Sequence, residues 1–219
     1  MDGSQNRYWQ IDALRGLALI GMVIYHFLVD LEMIYGIPIG VYKMPVVLLA
    51  RIVAITFIFL MGMSASIRFE KSGDYRWFVK RAINIGFWAG VISVVTYIIF
   101  PENYIFFGIL HFMAVSILLI IPLLKWNNNI FLLGLGVLII GLSFVKLNVL
   151  LPNLSSFDYF PLVPWFGVVI FGIVSGRVIK LNKINKTSLL ARIGQKSLLI
   201  YLLHQPILWS GLWIGKMFL

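Results

Sequence analysis

Long runs of apolar residues, each interrupted by a few polar positions, fill most of the chain. A run of about 20 apolar residues is long enough to cross the hydrocarbon core of a membrane as a helix. The runs lie at residues 11–31, 45–67, 82–100, 104–124, 130–150, 160–179 and 193–215. Short connectors rich in Gly, Pro or Asn lie at 36–38, 101–103, 127–129 and 152–153. The pattern predicts an all-α, polytopic membrane helix bundle of about seven transmembrane helices, forming a single domain over residues 1–219.

The composition supports an integral membrane protein. Hydrophobic residues make up 61% of the chain and the mean hydropathy is +0.96, which leaves too little polar surface for a soluble fold. Cysteine is absent, which excludes a disulfide framework, a thiolate nucleophile and any Cys-based metal site. The polar first ten residues carry no cleavage pattern, so we expect a cytoplasmic tail and no signal peptide.

The distribution of Lys and Arg predicts the orientation. Of the 18 Lys and Arg residues, all but Lys43, Arg51, Lys146 and Lys216 fall on one side of the predicted bundle. Cytoplasmic loops carry the excess of positive charge, so we expect the N-terminus in the cytoplasm and the C-terminus outside the cell membrane. Much of the net charge of +10 then faces anionic lipid of the inner leaflet or an anionic cytosolic ligand, and nucleic-acid binding is the weaker interpretation.

Polar residues inside the apolar runs are the first candidates for function. All three histidines, His26, His111 and His204, lie in predicted membrane helices at middle to outer depth, and Asp30 follows His26 by one helical turn. Ionisable groups inside a membrane cost free energy and are a functional hypothesis by default. Each histidine could equally bond a backbone carbonyl. Two further candidates, Arg51 and Asp158, could form a structural ion pair or extend to the outer interface.

Small residues four positions apart recur on the predicted helices, as at Gly172 with Gly176 and Gly211 with Gly215. Such spacing allows helix backbones to approach closely, so we expect these glycines to serve packing. At the inner end of the first helix, Asp12 and Arg15 stand three residues apart. This pair is either a structural lock on the helix N-terminus or part of a site.

Several segments, read in chain order, resemble one enzyme family. Residues 10–18 (QIDALRGLA) and 22–26 (MVIYH) resemble the first-helix signature of the transmembrane acyltransferase superfamily. Four more segments are similar to its heparan-α-glucosaminide N-acetyltransferase-like branch: 57–64 (FIFLMGMS), 107–111 (FGILH), 158–167 (DYFPLVPWFG) and 194–206 (GQKSLLIYLLHQP).

The resemblance implies transfer of an acyl group, typically acetyl from acetyl-CoA, to an amino sugar, glycan or related acceptor. It places His26 at the family's active-site position, as general base or acyl-accepting nucleophile, with His111 and His204 as second candidates. Asp30 is a further catalytic candidate from its spacing alone, since it could orient or charge-stabilise the His26 imidazole. Lysosomal members carry an additional histidine in a luminal segment after this helix. Residues 32–44 contain no histidine here, which favours direct transfer over an acyl-enzyme through that segment.

Binding residues follow from charge and from the same resemblance. CoA phosphates are anionic and Arg can bind phosphate through two N–H groups, so the expected donor site uses Asp12, Arg15, Arg76, Lys80 and Arg81. The same charges could instead only set the topology. For the acceptor we expect Arg51, Asp158 and Trp165 at the outer side.

Two other classes remain open. A proton-coupled small-solute transporter or exporter would also need intramembrane His and Asp, but no CoA. A cytochrome or quinone protein is less favoured because each candidate helix carries a single histidine, so we expect neither haem nor a bound metal. The expected partners are acyl-CoA, the sugar acceptor and the bilayer, with no nucleic acid. Whether the chain forms a homodimer is open.

Overall fold

A computed structural model describes residues 8–145, 156–181 and 188–218. Over these residues the structure is all-α, as predicted, with eight α-helices and one short 3-10 turn. The helices are α1 Trp9–Tyr35, α2 Val46–Ser72, α3 Tyr75–Ile99, α4 Ile109–Lys125, α5 Asn129–Leu142, α6 Leu162–Val178, α7 Leu189–Gln195 and α8 Ser197–Met217. Four of them, α1, α2, α3 and α8, are long and apolar enough to span a membrane, and α4, α5 and α6 are shorter apolar helices.

Two helix starts differ from the predicted ones by five residues or more. Helix α3 begins at Tyr75 rather than residue 82, because the Asp74 side chain caps it by accepting the Arg76 N–H at 2.9 Å. The first turns of α3 carry basic rather than apolar residues, so the apolar pattern did not include them in the predicted helix. Helix α4 begins at Ile109 rather than residue 104, because the preceding apolar residues form a loop.

The last predicted span, 193–215, crosses a break in the structure. Helix α7 ends at Gln195 and α8 begins at Ser197, with Lys196 between them at φ −98° and ψ 22°. The polar residues Gln195, Lys196 and Ser197 lie at this break, and the predicted span included them because it began at residue 193. The predicted end of the fifth span at residues 146–150 and the connector at 152–153 lie outside the described residues, as do Arg7, Lys146, Lys183 and Lys186.

Contacts divide the chain into two compact units, and the boundary falls inside α2 at Phe57 and Ile58. Unit 1 holds α1, the first part of α2, α7 and α8, and unit 2 holds the rest of α2 and α3 to α6. The single-domain assignment therefore stays a prediction.

Within unit 1, α1 packs against α7 through two glycines. A Cβ atom at Gly16 would collide with the backbone of Leu190, and one at Gly194 would collide with the carbonyl oxygen of Asp12. Helix α8 runs in the same direction as α1. Its first turns lie beside the middle of α1, and near its end the Leu212 carbonyl accepts the Tyr35 hydroxyl at 2.8 Å.

Within unit 2, the predicted close approach of small residues is confirmed at α6. A Cβ at Gly172 would collide with the Phe59 carbonyl oxygen, and one at Gly176 with that of Met63. In unit 1, by contrast, a Cβ at Gly211 would meet nothing within 4 Å. Arg177 joins α6 to the end of α4, since its guanidinium donates to the Leu123 and Leu124 carbonyls at 3.1 and 2.9 Å.

Candidate active site

His26 and His204 form a histidine pair between α1 and α8 in unit 1. Their ring centroids are 4.9 Å apart with the planes tilted by 56°. His204 is buried, and its Nδ1 lies 2.6 Å from the Tyr201 carbonyl oxygen. A carbonyl oxygen only accepts, so Nδ1 carries the proton and Nε2 is left with a lone pair. The fold therefore holds His204 in the tautomer that leaves Nε2 as a hydrogen-bond acceptor.

Asp30 and Gln205 form a second contact between the same helices, the acid–amide pair. Asp30 is fully buried, and its Oδ1 accepts the Gln205 side-chain amide at 2.8 Å. Asp30 follows His26 by four residues on α1, and Gln205 follows His204 on α8, so both pairs lie in one stretch of the α1–α8 interface. The structure thus brings together three of the four predicted catalytic residues: His26, His204 and Asp30.

Three buried atoms in these pairs have no hydrogen-bond partner among the described residues: Asp30 Oδ2, Gln205 Oε1 and His204 Nε2. The two oxygens are acceptors, and Nε2 is one also because the ring proton is on Nδ1. Leaving a buried acceptor unpaired costs about 1–3 kcal/mol, so native proteins rarely keep several in one place without a ligand or water. The cluster is suited to a ligand that donates hydrogens.

At the start of α1, Asp12 and Arg15 form the ion pair that their spacing predicts. Arg15 Nη1 lies 3.3 Å from Asp12 Oδ1; the Asp12 side chain is 5% exposed and that of Arg15 is 26% exposed. The buried carboxylate orients a guanidinium that solvent can still reach. Gly194 of α7 packs on the Asp12 backbone, so α7 supports this pair.

The other predicted donor-site cations, Arg76, Lys80 and Arg81, lie in the first turns of α3, in unit 2. Arg76 and Lys80 are exposed, and Arg81 is half-buried. Their contribution to a donor site stays a prediction.

His111 occupies a structural position in unit 2. Its Nδ1 accepts the Gly108 N–H at 3.3 Å, at the start of α4, in the manner of the third residue of a capping box. Its Nε2 lies 3.2 Å from Ser93 Oγ, whose own proton is donated to the Ile105 carbonyl. Both ring nitrogens are therefore bonded, and the neutral ring is satisfied without a substrate.

Asp158 caps the same helix. Its Oδ2 accepts the Ile109 N–H at 3.0 Å. A Cβ on Gly108 would lie only 2.5 Å from the same oxygen, which explains the glycine. Desolvation by burial raises the pKa of the Asp158 carboxyl to about 6, although the bond from Ile109 acts in the opposite direction.

We expect Asp158→Asn to be at least as stable as wild type at pH 7.5. A pKa raised from 3.8 to about 6 means that this group's stabilisation is complete below pH 4 and is lost as pH rises through 6. Asparagine can still accept the Ile109 N–H but carries no charge to desolvate. Melting of the detergent-purified protein from pH 4 to 8 should show a smaller pH dependence in Asp158→Asn. Asp158→Ala, which leaves the N–H unpaired, should melt lower at every pH, and equal melting of all three proteins would contradict the capping role.

The two remaining acceptor candidates lie in different units. Arg51 is exposed on α2 in unit 1, and Trp165 is half-buried on α6 in unit 2, with its ring 4.9 Å from that of Phe160. Their roles stay predictions. Gln205 was not among the predicted site residues. Its position could have indicated it, since it is a polar residue next to His204 within an apolar run.

The apolar helices define a polytopic helical membrane protein, and in unit 1 the interface between two of them contains buried polar pairs. A family model described as heparan-alpha-glucosaminide N-acetyltransferase, catalytic, matches residues 7–206, and the chain belongs to this family. The resemblance found in the sequence is thus confirmed. Membership implies a membrane-bound N-acetyltransferase-like activity with acetyl-CoA as donor. No curated protein and no solved structure gives a significant match to the chain.

Proposed function

We propose that this protein transfers an acetyl group from cytosolic acetyl-CoA to the amino group of an amino sugar or related acceptor, at the outer half of the membrane. His26 is the general base, assisted by His204. The observation that carries the proposal is the set of buried, unpartnered acceptor atoms beside His26, in a chain of this family.

The acceptor atoms favour one kind of ligand. Asp30 Oδ2, Gln205 Oε1 and His204 Nε2 would each be satisfied by an N–H or O–H group, and none by a carboxylate or phosphate oxygen. An amine or hydroxyl acceptor fits this set. A negatively charged group would be repelled by Asp30.

The histidine pair supplies proton transfer. When bound, acetyl-CoA supplies a thioester: the acceptor nitrogen forms a bond to the acetyl carbon, the carbon–sulfur bond breaks, and CoA leaves through its sulfur. His26 takes the proton that the attacking nitrogen loses and returns it to the departing sulfur. His204 is held by Tyr201 with Nε2 free, so it can accept a hydrogen bond from a protonated neighbour. Because the ring centroids are 4.9 Å apart, a positive charge on one ring disfavours a positive charge on the other, so at most one of the two rings is charged at a time.

The helix directions support an odd number of crossings. Since α1 and α8 run the same way, the number of crossings from α1 through α8 must be odd if both helices span the membrane. If α1 to α6 and α8 each cross the membrane, there are seven crossings, which is an odd number. An odd number places the two termini on opposite sides, and the predicted charge bias then favours a cytoplasmic N-terminus and an external C-terminus.

The donor is proposed to bind at the inner end of α1. Arg15 lies about three turns before His26, or about 16 Å along the helix. The partly exposed guanidinium, oriented by Asp12, offers N–H groups to a phosphate. This places the anionic part of CoA near the cytoplasm and leaves the acetyl group to reach His26 from within.

We expect acetyl-CoA to raise the melting temperature of the detergent-purified protein and Arg15→Ala to weaken this effect. Ligand at about 100 times its Kd adds about 2.7 kcal/mol to the free energy of unfolding. Arg15→Lys should retain part of the shift, because lysine keeps the charge but lacks the two-pronged geometry. Lys43→Ala, which removes a cation from a predicted outer loop, is the matched control and should keep the full shift. An unchanged shift in Arg15→Ala would contradict this donor site.

A further inference from the structure

Gln205 belongs to the polar cluster, but neither the family match nor the sequence assigns it a role. Its side-chain nitrogen donates to Asp30 Oδ1 at 2.8 Å across the α1–α8 interface. A carboxylate oxygen only accepts, so the amide nitrogen must face Asp30 and the amide oxygen must point elsewhere. The bond therefore fixes the orientation of both side chains.

This pair is not arranged for stability alone. A purely structural tether would be expected to satisfy the buried atoms at both ends, but here each partner keeps one buried oxygen without a partner among the described residues, Asp30 Oδ2 and Gln205 Oε1. These oxygens belong to two groups joined by one hydrogen bond, so both lie at the same contact between α1 and α8. A nitrogen with two or three hydrogens can satisfy both oxygens, whereas a hydroxyl has one hydrogen to donate.

We infer that Gln205 is a positioning and specificity-determining residue of the transfer site, which holds Asp30 Oδ2 toward the acceptor and, with its own Oε1, favours amine over hydroxyl acceptors. This inference rests on the proposed acetyl transfer. It assigns to one amide the task of keeping Asp30 oriented and of providing the second acceptor atom.

Gln205→Glu tests the positioning part because the new side chain donates to Asp30 only when the two carboxyls share a proton. The ionisable side chains that the described residues place near this part of the interface include His26 and His204, with Tyr25 and Tyr201 beside their rings. Toward the helix ends, Glu32 is bonded to the Gly40 and Val41 N–H groups and Lys216 to the Ile34 carbonyl. The wild-type protein contains all of these, so the ratio of variant to wild-type activity isolates the new carboxyl.

The experiment measures kcat and KM for acetyl transfer to glucosamine, and to its hydroxyl analogue glucose, from pH 5.5 to 8.5. We expect the Gln205→Glu to wild-type ratio of kcat/KM for glucosamine to fall by about tenfold or more as pH rises, because two carboxylates then face each other. The KM for acetyl-CoA should not change. Gln205→Leu should lose activity at every pH and lose most of the preference for glucosamine over glucose. Ser210→Ala, an exposed position on α8, is the matched control.

A constant ratio for Gln205→Glu across the pH range, with the amine preference intact in whichever variant folds, would overturn the inference and leave Gln205 as a tether. Melting temperatures of each variant separate folding from function, and Gln205→Glu alone decides if Gln205→Leu does not fold. If wild type transfers acetyl to neither acceptor, the proposed function fails. If wild type transfers acetyl but Gln205→Glu shows the same pH dependence as wild type, the proposed function stands and only the inferred role of Gln205 is wrong.

Discussion

Replacing His26 with alanine lowers kcat for acetyl transfer by about 10²–10⁴-fold, the contribution typical of a positioned general base. The reason is geometric: the His26 ring centroid lies 4.9 Å from that of His204, and the buried Asp30 follows His26 by one helical turn. The measurement is release of CoA by the purified protein with saturating acetyl-CoA and acceptor. The acetyl-CoA melting shift should survive, because His26 is not part of the donor site.

His111→Gln is the matched control for this change, since both of its ring nitrogens serve the start of α4. It should lower the melting temperature but leave kcat of the folded protein close to that of wild type. His204→Ala tests the assisting residue: we expect an intermediate loss of kcat, because protonated His26 would lose the neighbour that accepts its hydrogen bond. Full activity in His26→Ala together with loss in His204→Ala would move the base to His204.

Gly194→Ala destabilises the protein by about 1–3 kcal/mol, the cost of forcing a methyl group into a closed contact. The new Cβ would collide with the Asp12 carbonyl, so α7 must move away from α1. Because the Asp12–Arg15 pair lies at this contact, the acetyl-CoA melting shift should weaken in the same variant.

Gly211→Ala is the matched control, because a Cβ there meets nothing within 4 Å. Alanine also favours a helix over glycine by up to about 1 kcal/mol, so this variant should melt at or above the wild-type temperature. Melting in detergent compares the two substitutions directly. Equal melting temperatures would show that α7 does not pack on α1 as closely as the structure has it.

The apolar pattern predicted helix bounds well where long apolar runs determine them. It failed where a helix end depends on backbone geometry. Helices α1 and α2 agree with the predicted spans to within about five residues, since uninterrupted apolar runs are a strong signal. The break at Lys196 and the late start of α4 depend on caps and tertiary contacts, which apolar content does not encode.

The candidate site was predicted in part for a similar reason. The i and i+4 spacing correctly placed His26 and Asp30 on one face of α1, because it depends on the helix alone. Which histidine faces them depends on tertiary packing: His204 does, and His111 instead caps α4 in unit 2. Gln205 is apparent only once α8 lies beside α1, when its amide reaches Asp30.

The central claim is acetyl transfer to an amine, and the most direct test is to follow the acetyl group. Purified full-length protein is incubated with acetyl-CoA labelled in the acetyl group and with glucosamine, and labelled N-acetyl product and free CoA are measured. We predict equal amounts of both products, each formed about 10²–10⁴-fold more slowly in His26→Ala. Folded wild-type protein that releases no CoA with glucosamine or other amine and hydroxyl acceptors would contradict the account and favour a transporter.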